Sequence, residues 1–222
     1  MRLAREVELP TDVDAAVAVQ DRLRGLVEVR GGPQRFRTVA GLDSAYDEDG
    51  NAVAAVVVLD AETFEVVDTA TARGRVEFPY VPGLLAFREL PVTVAALEKL
   101  GSTPDLLICD GQGVAHPRRF GLACHVGVLT GLPTVGVAKT VWGEYTEPGA
   151  KRGATGDVVV ENEVVGRALR TRAGVKPVFV SVGHRIDLDT ACAAVLGLTP
   201  RYRQPETTRR ADRLCRELLR QG

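Results

Sequence analysis

The sequence lacks the features that mark several large classes of protein. Neither sign of charge dominates: 28 Lys and Arg stand against 29 Asp and Glu, a formal net charge of −1. So balanced a chain is no polycation, and any contact with nucleic acid has to come from local clustering of basic residues. There is no Cys-x-x-Cys pair. The four cysteines, 109, 124, 192 and 215, are widely spaced, and Cys109, Cys124 and Cys192 sit in apolar surroundings. That pattern excludes a zinc site or a disulfide frame and predicts buried, reduced thiols. No signal peptide, targeting motif or apolar run of membrane-spanning length is present, so a cytoplasmic protein without membrane contact is expected. Repeats and low-complexity segments are missing too. Lysine is scarce beside arginine, which suits bidentate phosphate contacts, although a GC-rich codon bias gives the same excess and is the simpler cause.

What is there is ordinary in bulk. The 222 residues suit a single domain, 1–222, long enough to bury about three-quarters of the unfolded chain's surface. Hydrophobic and charged shares of 45% and 26% are typical of globular proteins. Function therefore has to be sought in particular segments.

The most informative is 79–89, Pro79-Tyr80-Val81-Pro82-Gly83-Leu84-Leu85-Ala86-Phe87-Arg88-Glu89. Two prolines flank an aromatic, a glycine follows, and a helix-forming run ends on a carboxylate. Proline fixes φ and donates no backbone hydrogen bond, so a stiff, projecting loop is predicted. An aromatic at such a tip can wedge between stacked bases. The plainer alternative is a surface loop that caps a helix.

A second segment, 105–127, narrows the choice. Leu106 to Cys109 is a short apolar run of buried-strand type that ends in Asp110, with Gly111 and Gly113 following. A carboxylate at the C-terminal end of a buried strand, before a glycine-rich turn, is where α/β folds place ligands. His116 and Arg118 come just before a predicted helix whose free N–H groups can meet a phosphate. Asp110, His116, Arg118 and Arg119 fall within ten residues, a concentration a simple turn does not need.

Periodicity and punctuation predict a helix over 12–27 with Thr11 as its N-cap, ended by Gly31-Gly32-Pro33. Strands follow at 36–45, 52–60 and 65–73, the first two joined by a turn at 47–50, which makes an antiparallel meander. Then come a helix at 84–100, a strand at 106–109, a helix at 119–129 and a strand at 134–138. A small hairpin, 158–160 and 164–169, turns at Asn162-Glu163; a strand at 178–182 and helices at 188–196 and 205–219 complete the chain. Periodicity alone supports an α/β protein with a mixed sheet; the order of elements matches the ribonuclease H-like architecture, with helices on both faces.

Four blocks of this sequence resemble the endonuclease V family, nucleases that nick DNA near deaminated bases, chiefly hypoxanthine. They are Val39-Ala40-Gly41-Leu42-Asp43, the 79–89 segment, Asp110 to Arg118 with its continuation to Lys139, and Tyr202 to Asp212. They span nearly the whole chain in order, and the second and third are the specific ones. The resemblance implies the ribonuclease H-like fold, with Asp43 and Asp110 on neighbouring strands. It also implies a catalytic set of Asp43, Glu89, Asp110, His116, Lys139 and Asp212. Asp43, Glu89 and Asp110 would hold a metal; Asp212 would be the last acidic position, where family members carry either Asp or His. His116 would contact the scissile phosphate or the departing oxygen, and Lys139 would orient the attacking water or the phosphate. Tyr80, Val81 and Pro82 would form the wedge, and Gly83, Leu85, Gly111, Gly113, Gly121 and Leu122 would line a pocket for an extruded base.

Each of these residues has a plainer alternative. Strand-end aspartates are ordinarily turn formers, Glu89 could be a solvated helix face, Asp212 could pair with Arg209, Arg210 or Arg213, and the glycines could serve turns and packing. His125 and His184 take no role, and Trp142, the single tryptophan, either shapes the pocket or merely packs. Clustered carboxylates stay ionised together only beside a cation. Hard oxygen ligands suit Mg²⁺, with Mn²⁺ as a substitute. The expected activity is hydrolysis of the second phosphodiester 3′ to the lesion, leaving 3′-hydroxyl and 5′-phosphate ends. The partner would be DNA containing deaminated bases; no obligate protein partner is implied. A ribonuclease H-like nuclease acting on inosine-containing RNA or branched DNA is the second possibility. A non-catalytic binder is the third, and it has no need of clustered acids.

Overall fold

The computed structural model describes residues 1–33 and 35–221. Strands Thr38–Tyr46 (β1), Asn51–Asp60 (β2) and Val66–Arg75 (β3) form the expected antiparallel meander. Leu106–Asp110 (β4) pairs parallel to β1, and Thr134–Ala138 (β5) parallel to β4. Glu144–Tyr145 (β6), Thr155–Val160 (β7), Glu163–Leu169 (β8) and Val178–His184 (β9) extend the sheet by antiparallel pairing. Among the described residues the order is β3-β2-β1-β4-β5-β9-β8-β7-β6.

Helices Val13–Leu23 (α1), Ala86–Glu98 (α2), Leu122–Thr130 (α3), Leu188–Gly197 (α4) and Glu206–Arg220 (α5) cover both faces. The period of two along β2 shows why. Ala54, Val56 and Val58 pack with Leu90 and Leu97 of α2 and Val126 of α3. Their neighbours Ala55, Val57 and Leu59 pack with Ala211 and Cys215 of α5. A strand buried on both faces reads as an unbroken apolar run. On β5 and β9, Val135, Val137, Val180 and Val182 face Ala191 and Val195 of α4. This is the mixed, doubly covered sheet of the ribonuclease H-like class. Among the described residues no helix is long and apolar enough to cross a membrane.

Gly41 decides how near α5 comes. A Cβ there would lie 2.2 Å from the Thr207 carbonyl carbon, so only glycine lets the first turn of α5 rest on β1.

Most element edges lie within one or two residues of expectation; β7 begins at Thr155, three residues early, and the other larger departures have identifiable causes. The N-cap of α1 is Asp12, not Thr11: its carboxylate accepts the Ala15 N–H at 2.8 Å. The helix tightens into a 3₁₀ turn at Arg24–Leu26 instead of running to 27. Asp43 lies inside β1 rather than at its end, because pairing to β2 continues to Tyr46 while the parallel pairing to β4 stops at Leu42. Helix α3 starts at Leu122, not 119, since Arg119 is left-handed, φ +58°, and cannot begin a right-handed helix. The β7–β8 turn sits at Glu161 and Asn162, φ +52° and +64°, one residue earlier than expected and of the twist hairpins favour. The two-residue β6 was not expected.

Candidate active site

Three neighbouring strands deliver charged side chains at one end of the sheet. Asp43 comes one residue beyond the Leu42–Cys109 pair of β1 and β4, Asp110 ends β4 opposite Val137, and Lys139 follows β5. Parallel strands emerge at the same end, so residues far apart in sequence meet there. Glu89, in the first turn of α2, and Asp212, on α5, approach from opposite faces of the sheet. The Lys139 Nζ bonds the Asp110 Oδ2 at 2.5 Å. The Asp212 carboxylate pairs with Arg216, one turn on, at 2.7 Å, not with Arg209, Arg210 or Arg213. Arg209 and Arg210 face Glu206, and Arg213 faces Glu217.

The acids oppose one another's ionisation. Burial first, then Asp110, with Asp212 and Glu89 adding, pushes Asp43 up to about 8, although the Ser44 N–H on its Oδ1 pulls the other way. Burial and then Asp110 raise Glu89 to about 7, against Ser44, Arg88 and Lys139. Burial works against the Lys139 ammonium, but its bond to Asp110, with Asp43 and Asp212 behind, outweighs this and holds its pKa above the usual lysine value. Buried carboxyl groups that resist ionising together, and that present only oxygen donors, have the donor chemistry of a hard divalent cation. Among the described residues no three such side chains stand together at ion-holding separation.

Beside the acids lies a cavity of about 450 Å³. Tyr80, Val81, Pro82, Gly83 and Leu85 form one wall; Gly111, Gly121 and Leu122 form another; Glu89, Asp110 and Lys139 border it. Tyr80 is 68% exposed at the tip of its loop, as a projecting loop requires. Asp43 stands just behind, in a small void shared with Ser44, Glu89 and Leu122. His116 lines the cavity yet is only 6% exposed. Its Nδ1 accepts the Arg118 N–H at 3.1 Å. Burial, against the pull of the Gly83 backbone, depresses its pKa to about 4, so the ring is neutral at pH 7.

Several expected contacts fall elsewhere. Gly113 is not on the cavity wall: it is buried under β9, where a Cβ would lie 2.0 Å from the Val182 carbonyl oxygen. Arg119 is turned away, its Nη2 on the Val160 carbonyl and Glu163. At the start of α3 the Ala123 N–H is already taken by the Gln112 carbonyl, which leaves less of that helix end for a phosphate. Asp212 does not border the cavity. His125 stays outside the chemistry, with its ring centroid 5.3 Å from that of Phe87 and 5.1 Å from that of Phe120. His184 accepts the Glu28 N–H at 3.2 Å, away from the acids.

Other residues join the site, several of them with no role expected from the sequence. Gln112, whose side chain donates to the Thr140 carbonyl at 3.1 Å, lines the cavity with Ala138, Thr140 and Trp142. Trp142, 43% exposed, is on the wall rather than packed beneath it. Arg203 clamps the Lys139 and Pro177 carbonyls at 3.3 and 2.6 Å. It lies inside the fourth block, so a signal was present. Gln20, from α1, had none.

The endonuclease V family model matches residues 21–213. Endonuclease V of Nocardia farcinica is 66% identical over 216 residues, 96% of either chain. The crystal structure of endonuclease V from Streptomyces avermitilis has 59% identity and a TM-score of 0.92, covering 96% of this chain and 95% of that one. Endonuclease V of Ciona intestinalis, solved in complex with a 23mer DNA containing an inosine followed by a ribo-adenosine, is 29% identical with a TM-score of 0.84, covering 94% and 97%.

Proposed function

The chain belongs to the endonuclease V family, and on that premise we propose how it acts as a DNA repair endonuclease at deaminated bases. A deaminated purine, chiefly hypoxanthine, leaves the stack and enters the 450 Å³ cavity. The strand is hydrolysed at the second phosphodiester on its 3′ side, giving 3′-hydroxyl and 5′-phosphate ends. One observation carries this: a single cavity is bordered by the exposed Tyr80 loop and by Glu89, Asp110 and Lys139. Recognition and hydrolysis thus share one cavity. The volume lies within the range of small-ligand sites, roughly 300–1,000 Å³.

Tyr80 fills the gap in the stack, while Gly83, Leu85, Gly111, Gly121 and Leu122 receive the base. A base rotated outward is displaced from its own phosphate, so the acids, set to one side of the pocket, meet a phosphate further along the strand. Asp43, Glu89 and Asp110, with Asp212 behind them, would hold Mg²⁺, or Mn²⁺ in its place, which supplies activation of water and stabilisation of the leaving oxygen. Lys139, fixed by Asp110, orients the attacking water or the phosphate. His116 contacts the scissile phosphate or the departing 3′-oxygen. The water's oxygen joins phosphorus, the bond to the 3′-oxygen breaks, and that oxygen gains a proton. No glycosidic bond breaks, so the deaminated base stays on the nicked strand.

The test is a labelled duplex with one hypoxanthine, with and without chelator, beside the matching inosine-containing RNA. A chelator-sensitive nick at the second phosphodiester 3′ to the lesion is expected. A cut 5′ to it, or release of free hypoxanthine, overturns the proposal; preferential cleavage of RNA moves the substrate to inosine-containing RNA.

A further inference from the structure

Helix α1 supplies none of the charged residues described above, and its one buried polar side chain is Gln20, 1% exposed. Gln20 shares a face with Ala16, Val19 and Leu23, which pack against Leu84, Phe87 and Phe120. Its Nε2 donates to two carbonyls at 3.1 Å each, those of Gly83 and Phe120. Both partners can only accept, so the amide can be oriented in one way.

These carbonyls belong to the two halves of the cavity. Gly83 closes the Tyr80 loop, and Phe120 immediately precedes Gly121 and Leu122 on the opposite wall; Gln20 itself lines the space between. The Oε1 of the same amide is buried and has no partner among the described residues. A methionine of equal length would fill the site without that unpaired oxygen, so space filling alone does not account for an amide here.

We propose that Gln20 is a positioning residue for lesion recognition. It braces the Tyr80 loop to the pocket floor, so that the wedge and the base receptor stand at a fixed separation. This rests on the assignment of the cavity to an extruded base. A pocket built from backbone on two separate segments discriminates only as well as their spacing is held, and pre-organisation is where such affinity is gained. Undamaged duplex, bound through charge, does not sense the brace; nor do the carboxylates.

The test uses the full chain with Gln20→Met, which keeps length and removes the amide, and Gln20→Asn, which keeps the amide but is too short to span both carbonyls. Affinities for a hypoxanthine-containing and an undamaged duplex are measured in Ca²⁺ at fixed salt, and KM and kcat in Mg²⁺. Gln20→Met should lower the ratio of the two affinities at least fivefold, through a raised KM with kcat within twofold, and Gln20→Asn should fall between. A folded Gln20→Met protein with the wild-type ratio, or one that loses kcat at unchanged KM, overturns the brace. Should Gln20→Met not fold, the Gln20 side-chain amide resonances of the wild-type protein decide: they should shift with hypoxanthine-containing duplex and not with undamaged duplex. No shift overturns it. If wild type itself fails to discriminate, the assignment of the cavity fails first and the brace falls with it.

Discussion

Asp110 carries the largest share of the site at the scale of single residues: it holds Lys139 at 2.5 Å and contributes to the raised pKa values of both Asp43 and Glu89. Asp110→Asn should reduce cleavage by about a thousandfold or more, the usual order for losing a metal ligand. Binding to hypoxanthine-containing duplex should survive, because Asn keeps nearly the shape of Asp on the cavity border and the Tyr80 loop and the glycine wall are unchanged. Near-wild-type cleavage, or full loss of binding, would remove Asp110 from the role assigned to it. Tyr80 is tested through a ratio. Stacking on an aromatic contributes roughly 1–3 kcal/mol per base, whereas affinity for undamaged DNA comes from charge and falls with salt. Tyr80→Ala should therefore weaken discrimination between hypoxanthine-containing and undamaged duplexes more than it weakens binding to undamaged DNA. An unchanged ratio at fixed salt would make the Pro79–Pro82 loop a structural feature only.

Among the elements, α5 is the one whose placement depends on a single missing side chain. It rests on β1 through Gly41, where a Cβ would lie 2.2 Å from Thr207 backbone, and backbone gives way less readily than a flexible side chain. Gly41→Ala should cost about 1–3 kcal/mol of stability, the usual cost of overpacking, seen as a lower urea midpoint. It should also lower cleavage, since Asp212 rides on the displaced helix. A variant of wild-type stability and activity would show that α5 shifts freely. Element boundaries show where local pattern is enough. Thr134–Ala138 appears as expected because an apolar run between Pro133 and Lys139 has little alternative. The start of α3 was misplaced because nothing local marks Arg119 as left-handed; its guanidinium is drawn to the distant β7–β8 hairpin.

For the molecule as a whole, the acid cluster links folding to pH and to cations. Unfolded, Asp43 and Glu89 would ionise near pH 4; folded, burial and Asp110 hold them at about 8 and about 7. Their contribution to stability is full below the unfolded values and is lost as pH rises through the folded ones. Between about pH 6.5 and about 8 the folded chain keeps protons that the unfolded chain has released, so stability falls as pH rises. His116 and His125, depressed mainly by burial to about 4, and His184, also lowered by burial, act in the opposite sense, because in the unfolded chain they are still partly protonated near pH 6.5; they reduce the slope at the lower edge of this window without reversing it. In chelator, Tm should be lower at pH 8 than at pH 6.5, and Mg²⁺ should remove the difference by favouring the ionised carboxylates. A Tm that rises across this window in chelator would mean that the acids are not held together as described.

The meander, the alternation that follows it, the projecting loop and the identity of the charged residues are all legible in the amino-acid sequence. Each of these is written in neighbouring residues: a period of two along β2, prolines around Tyr80, a glycine-rich turn after Asp110. Its family resemblance paired Asp43 with Asp110. Tertiary packing settles which glycine reaches the cavity and which serves close approach, as Gly111 and Gly113 show two positions apart. It alone turned Arg119 away, paired Asp212 with Arg216, and carried Gln20 to the carbonyls of Gly83 and Phe120. These outcomes depend on how sheet and helices are placed in space, through backbone carbonyls that every residue carries and no local pattern singles out.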